Sequence, residues 1–341
     1  MEQPLPQQSV SGSRRIGYID AMRGFTMILV VYSHVCNYCL GDKWMGWNDV
    51  FFLFRLPCFF FISGWLFHDV ARRPVVATVR HKFMVQIVPT VIFLLLLAPP
   101  PLFFSRLGAT KGGYWFTFAL FEFFLFYMFS ERRLRRWGAP VALLVSLLAF
   151  CYDVYYNRYF RDMGLLTDVL GFLGLITWRY YLFFFIGTRA RRHFDGFLRL
   201  VRQPVAMAVA VLVFTLMAAL PHGDQALREY LIFALGGISG LTVVFAFFHW
   251  AGARMAWRPL QYVGRRTLDI YLLHYFVLPR FLVLYSGPLR ASGSRLLEFV
   301  VALGLALAVV GVCLAVSYVV RLSPFLGHYL FGVKYEGGRQ A

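Results

Sequence analysis

Acidic residues are scarce in this chain: 16 Asp and Glu stand against 34 Lys and Arg in 341 residues, and charged residues of both signs make up 15%. A soluble domain carries about a quarter of its residues charged, so this composition excludes an ordinary water-covered surface. Long polar stretches are missing too. No connecting segment exceeds about 20 residues, which leaves no room for a separate soluble domain. No repeat of fixed period is present, which excludes a solenoid. The opening stretch "MEQPLPQQSVSGSRR" lacks an apolar core and a cleavage site, which excludes a secretory signal peptide and predicts a disordered cytosolic tail over 1–15. Cysteine is limited to Cys36, Cys39, Cys58, Cys151 and Cys313, mostly inside apolar runs. Such residues read as small packing hydrophobes, not as a disulfide framework.

What is abundant is apolar: 60% of residues are hydrophobic and 19% aromatic. A helix needs roughly 17 to 25 apolar residues to cross about 30 Å of hydrocarbon. Ten runs qualify, at 17–38, 50–69, 83–104, 114–130, 138–152, 164–188, 203–220, 229–250, 266–287 and 296–320. The sixth offers a break around Thr177 to Arg179, and "FLGHYLFGV" (325–333) is too short to span and reads as an interfacial segment. The expectation is an all-α integral membrane protein of ten helices. One domain covers 16–332 and a cytosolic tail covers 333–341. With the N-terminus in the cytosol, 22 of the 34 basic residues fall on inner segments, eight outside and four within or at the edges of spans. That asymmetry predicts both termini inside. It also accounts for the net charge of +18 through contact with anionic headgroups; without interleaved basic and aromatic residues, nucleic acid is excluded as a partner.

The first run, "GYIDAMRGFTMILVVYSHVCNYCLG" (17–41), carries Arg23 and His34. Eleven positions make about 1,100° of helical rotation, three turns plus roughly 20°, and a rise of about 16 Å. The two side chains therefore share one helix face, Arg23 toward the cytosol and His34 toward the outer half. Ionisable groups within spans face a bundle interior or a watered cavity and mark function by default. Snorkelling by the arginine and a packed, hydrogen-bonded histidine form the plain alternative. Cys36 and Cys39 follow as a CxxC, which with His34 would suit a redox pair or a zinc ion, but no fourth ligand is nearby, so no metal is expected.

"YIDAMRGFTMILVVYSHV" resembles the opening helix of the membrane acyltransferase-3 family, integral-membrane O-acyltransferases of bacteria, in which an arginine and a histidine have ten residues between them. Asp20 stands three positions before the arginine, as is typical, one turn away and suited to orient the guanidinium. "FRLPCFFFISGWLF" (54–67) is similar to the family's second helix through Pro57, Phe59, Phe60, Ser63 and Gly64. "YWFTFALFEFFLFY" (114–127) resembles its Trp-Phe-rich fourth helix and "GRRTLDIYLLHYF" (264–276) a late helix ending in Tyr-Leu-Leu-His. The resemblance runs in order over about 16 to 320. Many relatives have a histidine two positions before the second-helix proline, where this chain has Arg55. The hydrolase-like domain that some relatives append is not expected either.

The resemblance implies transfer of an acyl group, most often acetyl from cytosolic acetyl-CoA, to a hydroxyl of a cell-surface or lipid-linked glycan at the bacterial cytoplasmic membrane. No permanently bound cofactor is expected; acyl-CoA is the donor, and glycan-assembly proteins are possible partners. His34 then serves as general base or as a transient acyl carrier. Arg23 suits a CoA phosphate or the developing oxyanion, with Asp20 holding it. Arg55, Ser63, Glu122, Tyr271 and His274 are candidates for substrate or acyl-CoA binding. Glu122, among aromatics, is either protonated or paired with another helix. Ser63 also reads as a close-packing residue beside Gly64. Asp168 and Arg179 repeat the eleven-residue spacing and read as structural, as does Asp269 beside Arg265 and Arg266. The alternative is a transporter or flippase for a lipid-linked or acylated glycan, with Arg23, Glu122, Asp168 and His274 along its path, although no inverted repeat supports it. A noncatalytic membrane partner is a third class, one that would tolerate loss of His34.

Overall fold

The computed structural model describes residues 16–69, 73–97, 111–155, 169, 171–221, 225–252 and 257–333. The two predicted tails apart from Val333, the end of the third run, Asp168 and the start of the sixth run lie outside the described residues. Every element among the described residues is helical. In chain order they are α1 (Gly17–Tyr38), α2 (Asn48–Phe67), α3 (Val75–Leu97), α4 (Trp115–Arg133), α5 (Gly138–Tyr155), α6 (Tyr181–Arg192), α7 (Phe194–Arg202), α8 (Pro204–Ala219), α9 (Ala226–Gly252), α10 (Arg258–Arg265), α11 (Thr267–Val277), α12 (Arg295–Val320) and α13 (Pro324–Phe331).

Six of these, α1, α2, α3, α5, α9 and α12, are long and apolar enough to cross a bilayer, and the pair α7 and α8, bent by 78° at a break, makes up to seven. The other three expected spans are helical but divided or more polar. The sixth run becomes a 3-10 segment, Leu175–Tyr180, followed by the twelve-residue α6. The ninth stops after eleven residues because Pro279 follows Leu278, whose backbone turns extended as a residue before proline prefers; the chain resumes as 3-10 helix over Arg280–Tyr285. The fourth, α4, holds Glu122 and ends on Glu131, Arg132 and Arg133.

Hydrocarbon gives helices no hydrophobic reason to associate, so close packing must hold the bundle. Two reciprocal glycine crossings do so. A Cβ built on Gly24 of α1 would lie 2.0 Å from the Leu260 carbonyl oxygen of α10, and one on Gly264 would lie 1.9 Å from that of Asp20. Gly64 of α2 faces the Phe184 carbonyl at 1.9 Å, while Gly187 of α6 faces that of Phe61 at 2.0 Å. These contacts press α1 on α10 and α2 on α6, which are the most extensive helix pairs. At the outside, α8 is apolar except for Thr215, which donates back to the Val211 carbonyl, and it has no buried residue, as a lipid-facing helix requires.

Several of the charges inside the bundle are paired. Asp269 sits 3.8 Å from Arg266, as its spacing predicts, but its main partner is Arg321 beyond α12, which holds both carboxylate oxygens at 2.8 and 2.9 Å. Arg179 pairs with Asp153. Glu131 bridges Arg189 and Arg192. Glu122 accepts a hydrogen bond from the Trp178 indole at 3.1 Å.

Candidate active site

Three cavities follow one another along the face of α1 that carries Arg23 and His34. The first, at the N-terminal end of α1, is lined by Asp20, Arg23, Asp69, Arg73, Arg191 and Arg265 among others. The second, of about 220 Å³, is lined by Arg23, Ser63, Lys82, Gln86, Thr117 and Tyr271. A third, of about 160 Å³, is lined by Ser33, His34, Arg55, Phe59, Phe116 and Tyr271. Arg23 belongs to the first and second, whereas Phe59, Phe116 and Tyr271 form the partition between the second and third.

The first cavity is a basic mouth, four guanidinium groups against two carboxylates. Burial would push Asp69 up, but its 2.9 Å ion pair with Arg73 holds its carboxyl below the ordinary value. Asp20 and Arg23 interact through space without a hydrogen bond or ion pair between them, so the expected clamp of one on the other is not formed. Lys82 reaches the second cavity with its ammonium 4.0 Å above the Phe67 ring. It stands where α3 widens into a π-helical turn at Phe83–Ile87. Such a turn inserts an extra residue and turns side chains onto a new face. Gln86 uses that shift to donate to the Thr117 carbonyl at 2.8 Å. Ser63 lines this cavity while donating to the Phe59 carbonyl of its own helix.

His34 is held from α11. Tyr275 Oη lies 3.3 Å from His34 Nε2 and 3.4 Å from the Gly113 carbonyl oxygen. The hydroxyl has one proton and two acceptors in reach. Donating to the carbonyl leaves the phenol oxygen to accept from Nε2–H, which puts the free lone pair of the neutral ring on Nδ1, able to take a proton. The same hydrogen bond then holds the imidazolium, so the base passes through both protonation states without repacking. Tyr271 closes the same corner, its oxygen accepting from the Phe116 N–H at 3.1 Å and its hydroxyl donating to Gly113 O at 3.2 Å. Gly113 has φ +99°, and a Cβ there would lie 2.4 Å from the Tyr275 ring, so only glycine fits both the backbone and the contact.

His274 is fully buried behind His34, ring centroids 5.0 Å apart, and does not line the cavity. Its Nδ1 lies 3.1 Å from the Ile270 carbonyl, which can only accept, so Nδ1 carries the proton. Of the expected site residues, then, His34, Arg55 and Tyr271 share one cavity, Arg23, Ser63 and Tyr271 the next, and Asp20 the mouth. His274 supports His34 from behind. Glu122 is set apart on Trp178. Sequence reasoning missed Tyr275, Ser33, Gly113 and Lys82; the only signal for Tyr275 was its place directly after His274.

Replacing Tyr275 by phenylalanine keeps the ring against His34, 5.1 Å between centroids, and removes only the hydroxyl. A hydrogen bond of this kind contributes about 1–2 kcal/mol. Steady-state kinetics should show kcat lowered roughly 5- to 30-fold, far less than loss of the imidazole itself.

A helical, multi-pass membrane protein with a line of cavities along its first helix, largely apolar but carrying Arg23 and His34, is the class these features define. The family profile of the acyltransferase-3 family, described as an acyltransferase domain, matches residues 16–318, nearly the whole chain. The chain belongs to that family. No curated protein and no solved structure matches it.

Proposed function

We propose that the protein moves an acyl group, acetyl first among candidates, from cytosolic acyl-CoA to a hydroxyl of a cell-surface or lipid-linked glycan. In this reading the chain crosses a bacterial cytoplasmic membrane ten times with both termini in the cytosol, and the basic mouth faces the donor. The carrying observation is the succession of three cavities from the four-guanidinium mouth, past Arg23, to His34, the last two divided by Phe59, Phe116 and Tyr271. CoA is a polyanion with a long flexible thiol arm. Its phosphates match the mouth and Arg23, which suits planar phosphate recognition. The pantetheine arm then spans the rise of about 16 Å to His34, passing between Phe59, Phe116 and Tyr271.

At His34 the acceptor hydroxyl gives its proton to the imidazole as its oxygen attacks the thioester carbon. The carbonyl π pair moves onto oxygen, the tetrahedral intermediate expels CoA sulfur, and the imidazolium proton goes to that sulfur. In the acyl-carrier variant the imidazole nitrogen attacks first, and the acceptor then displaces it; ping-pong kinetics identify that route. A permeation path is less well supported, because Glu122 and His274, two of its expected lining residues, lie off these cavities.

The test is release of CoA thiol from acetyl-CoA by purified protein in detergent, with and without a glycan acceptor. Acceptor-dependent release is the expected result; no release from any acyl-CoA tried would remove the reading and favour transport. Arg23→Ala should raise the KM for acetyl-CoA about ten- to a hundredfold, the size of a lost charge-assisted hydrogen bond, with a smaller change in kcat.

A further inference from the structure

Among the described residues, the half-buried Arg179 and Arg321 are each given a carboxylate, Asp153 and Asp269. Arg55, more deeply buried than either, is not. It is 7% exposed on α2, yet among the described residues its guanidinium makes one hydrogen bond, from Nη1 to Asn48 Oδ1 at 2.6 Å, and no ion pair. Asn48 is a neutral partner, itself held by donating to Ser33 Oγ and to the Lys43 carbonyl. The Phe52 ring at 5.3 Å covers one face of the group.

A guanidinium does not deprotonate in proteins. A permanent buried cation with only a neutral partner is costly in a membrane, and it persists where an anion completes it. The cavity that Arg55 lines is the one His34 lines, and at about 160 Å³ it admits little more than the reacting atoms. Arg23, by contrast, does not line it. The one anion that acyl transfer must create beside His34 is the oxyanion of the tetrahedral intermediate, formed when the thioester π pair moves onto oxygen.

We propose that Arg55 is the catalytic residue that binds this oxyanion, with Asn48 as the positioning residue that fixes its guanidinium. The proposal rests on the acyl-transfer reading and moves oxyanion stabilisation from Arg23 to Arg55. The charge is preorganised, so it stabilises the intermediate more than the neutral thioester, which is the condition for raising kcat.

The experiment is steady-state CoA release from acetyl-CoA, with a neutral glycan acceptor, by detergent-purified wild type, Arg55→Gln, Arg55→Lys and Asn48→Asp. Folding of each is checked by size-exclusion profile and thermal melting. Arg55→Gln should lower kcat about 10²- to 10³-fold, as loss of an oxyanion donor does, with KM for acetyl-CoA within a few-fold; Arg55→Lys should restore part of the loss. Asn48→Asp keeps the accepting oxygen but gives Arg55 a permanent counterion. It should therefore lower kcat at least tenfold, and its melting temperature should stay at or above that of Arg55→Gln. Full kcat in Asn48→Asp or in Arg55→Lys and Arg55→Gln together would overturn the proposal. So would a loss confined to succinyl-CoA or to a carboxylate-bearing acceptor, which would make Arg55 a substrate-carboxylate site instead. A wild type that releases no CoA from any acyl-CoA would remove the acyl-transfer reading itself and the proposal with it.

Discussion

Cells carrying His34→Ala are expected to lose O-acetylation of their surface glycan while immunoblots show the protein at its normal membrane level. A hydroxyl is a weak nucleophile near neutral pH, and a positioned base contributes roughly 10²- to 10⁴-fold to its attack. Nothing else in the cavity can take that proton. Its other polar side chains are Ser33, Arg55, Trp115 and Tyr271, of which Arg55 is a permanent cation and the Trp115 indole only a donor. His274 is sealed behind the ring and Tyr275 reaches the cavity through His34. The alanine variant leaves the bundle intact, because His34 is half-buried and its side chain joins α11 through Tyr275 alone among hydrogen-bonding partners. His34→Gln keeps an amide able to meet Tyr275 and should be as inactive as alanine, which separates proton transfer from packing. Unchanged acetylation in both variants, at equal protein levels, would show that the chemistry is elsewhere and that a transporter or scaffold should be tested next.

How much of this was legible in the sequence depends on whether a feature is local or spans the bundle. Hydropathy located the helices because the bilayer imposes one length on every span, and helical rise put Arg23 and His34 on one face, where the cavities now run. The sequence placed a break around Thr177 to Arg179, inside the 3-10 segment Leu175–Tyr180 that precedes α6, but it did not end α11 at Val277. An apolar run reads alike in continuous and broken helices, and there Pro279 was the signal left unread. Charges followed the same rule. Asp269 was read beside Arg266, three residues away, and that pair exists, but Arg321 lies 52 residues on and outranks it. Tyr275 meets His34 across 241 residues, a separation no spacing argument reaches. Tyr271, found through the family resemblance, bonds a loop that only a glycine at 113 can form. The anion-seeking character of Arg55 could not be read at all from sequence, because it consists in the lack of a carboxylate around it.

The second large effect is expected at the crossing of α1 and α10: Gly24→Ala should leave little monodisperse protein in detergent, and what folds should be inactive. The added methyl would stand 2.0 Å from the Leu260 carbonyl oxygen and 3.0 Å from the Gly264 nitrogen. Both are backbone atoms, so no rotamer change relieves the contact. Overpacking a side-chain core costs about 1–3 kcal/mol, and a clash that must move a whole helix falls at the top of that range or beyond it. The displacement cannot stay local. Gly264 makes the reciprocal contact with the Asp20 carbonyl, and α10 runs through Arg266 directly into α11, which supplies Tyr271 to the aromatic partition and Tyr275 to His34. A shift of α10 thus opens the third cavity even where the fold survives. Gly304 and Gly311 of α12 provide the internal control, since a Cβ at either meets nothing within 4 Å. Alanine there removes backbone freedom from a helix interior and should be neutral or stabilising by up to about 1 kcal/mol. Fluorescence-detected size exclusion and thermal melting on Gly24→Ala, Gly264→Ala, Gly304→Ala and Gly311→Ala give the comparison. Equal stability across the four would mean that α1 and α10 do not cross backbone to backbone, and the cavity line built on that crossing would have to be redrawn.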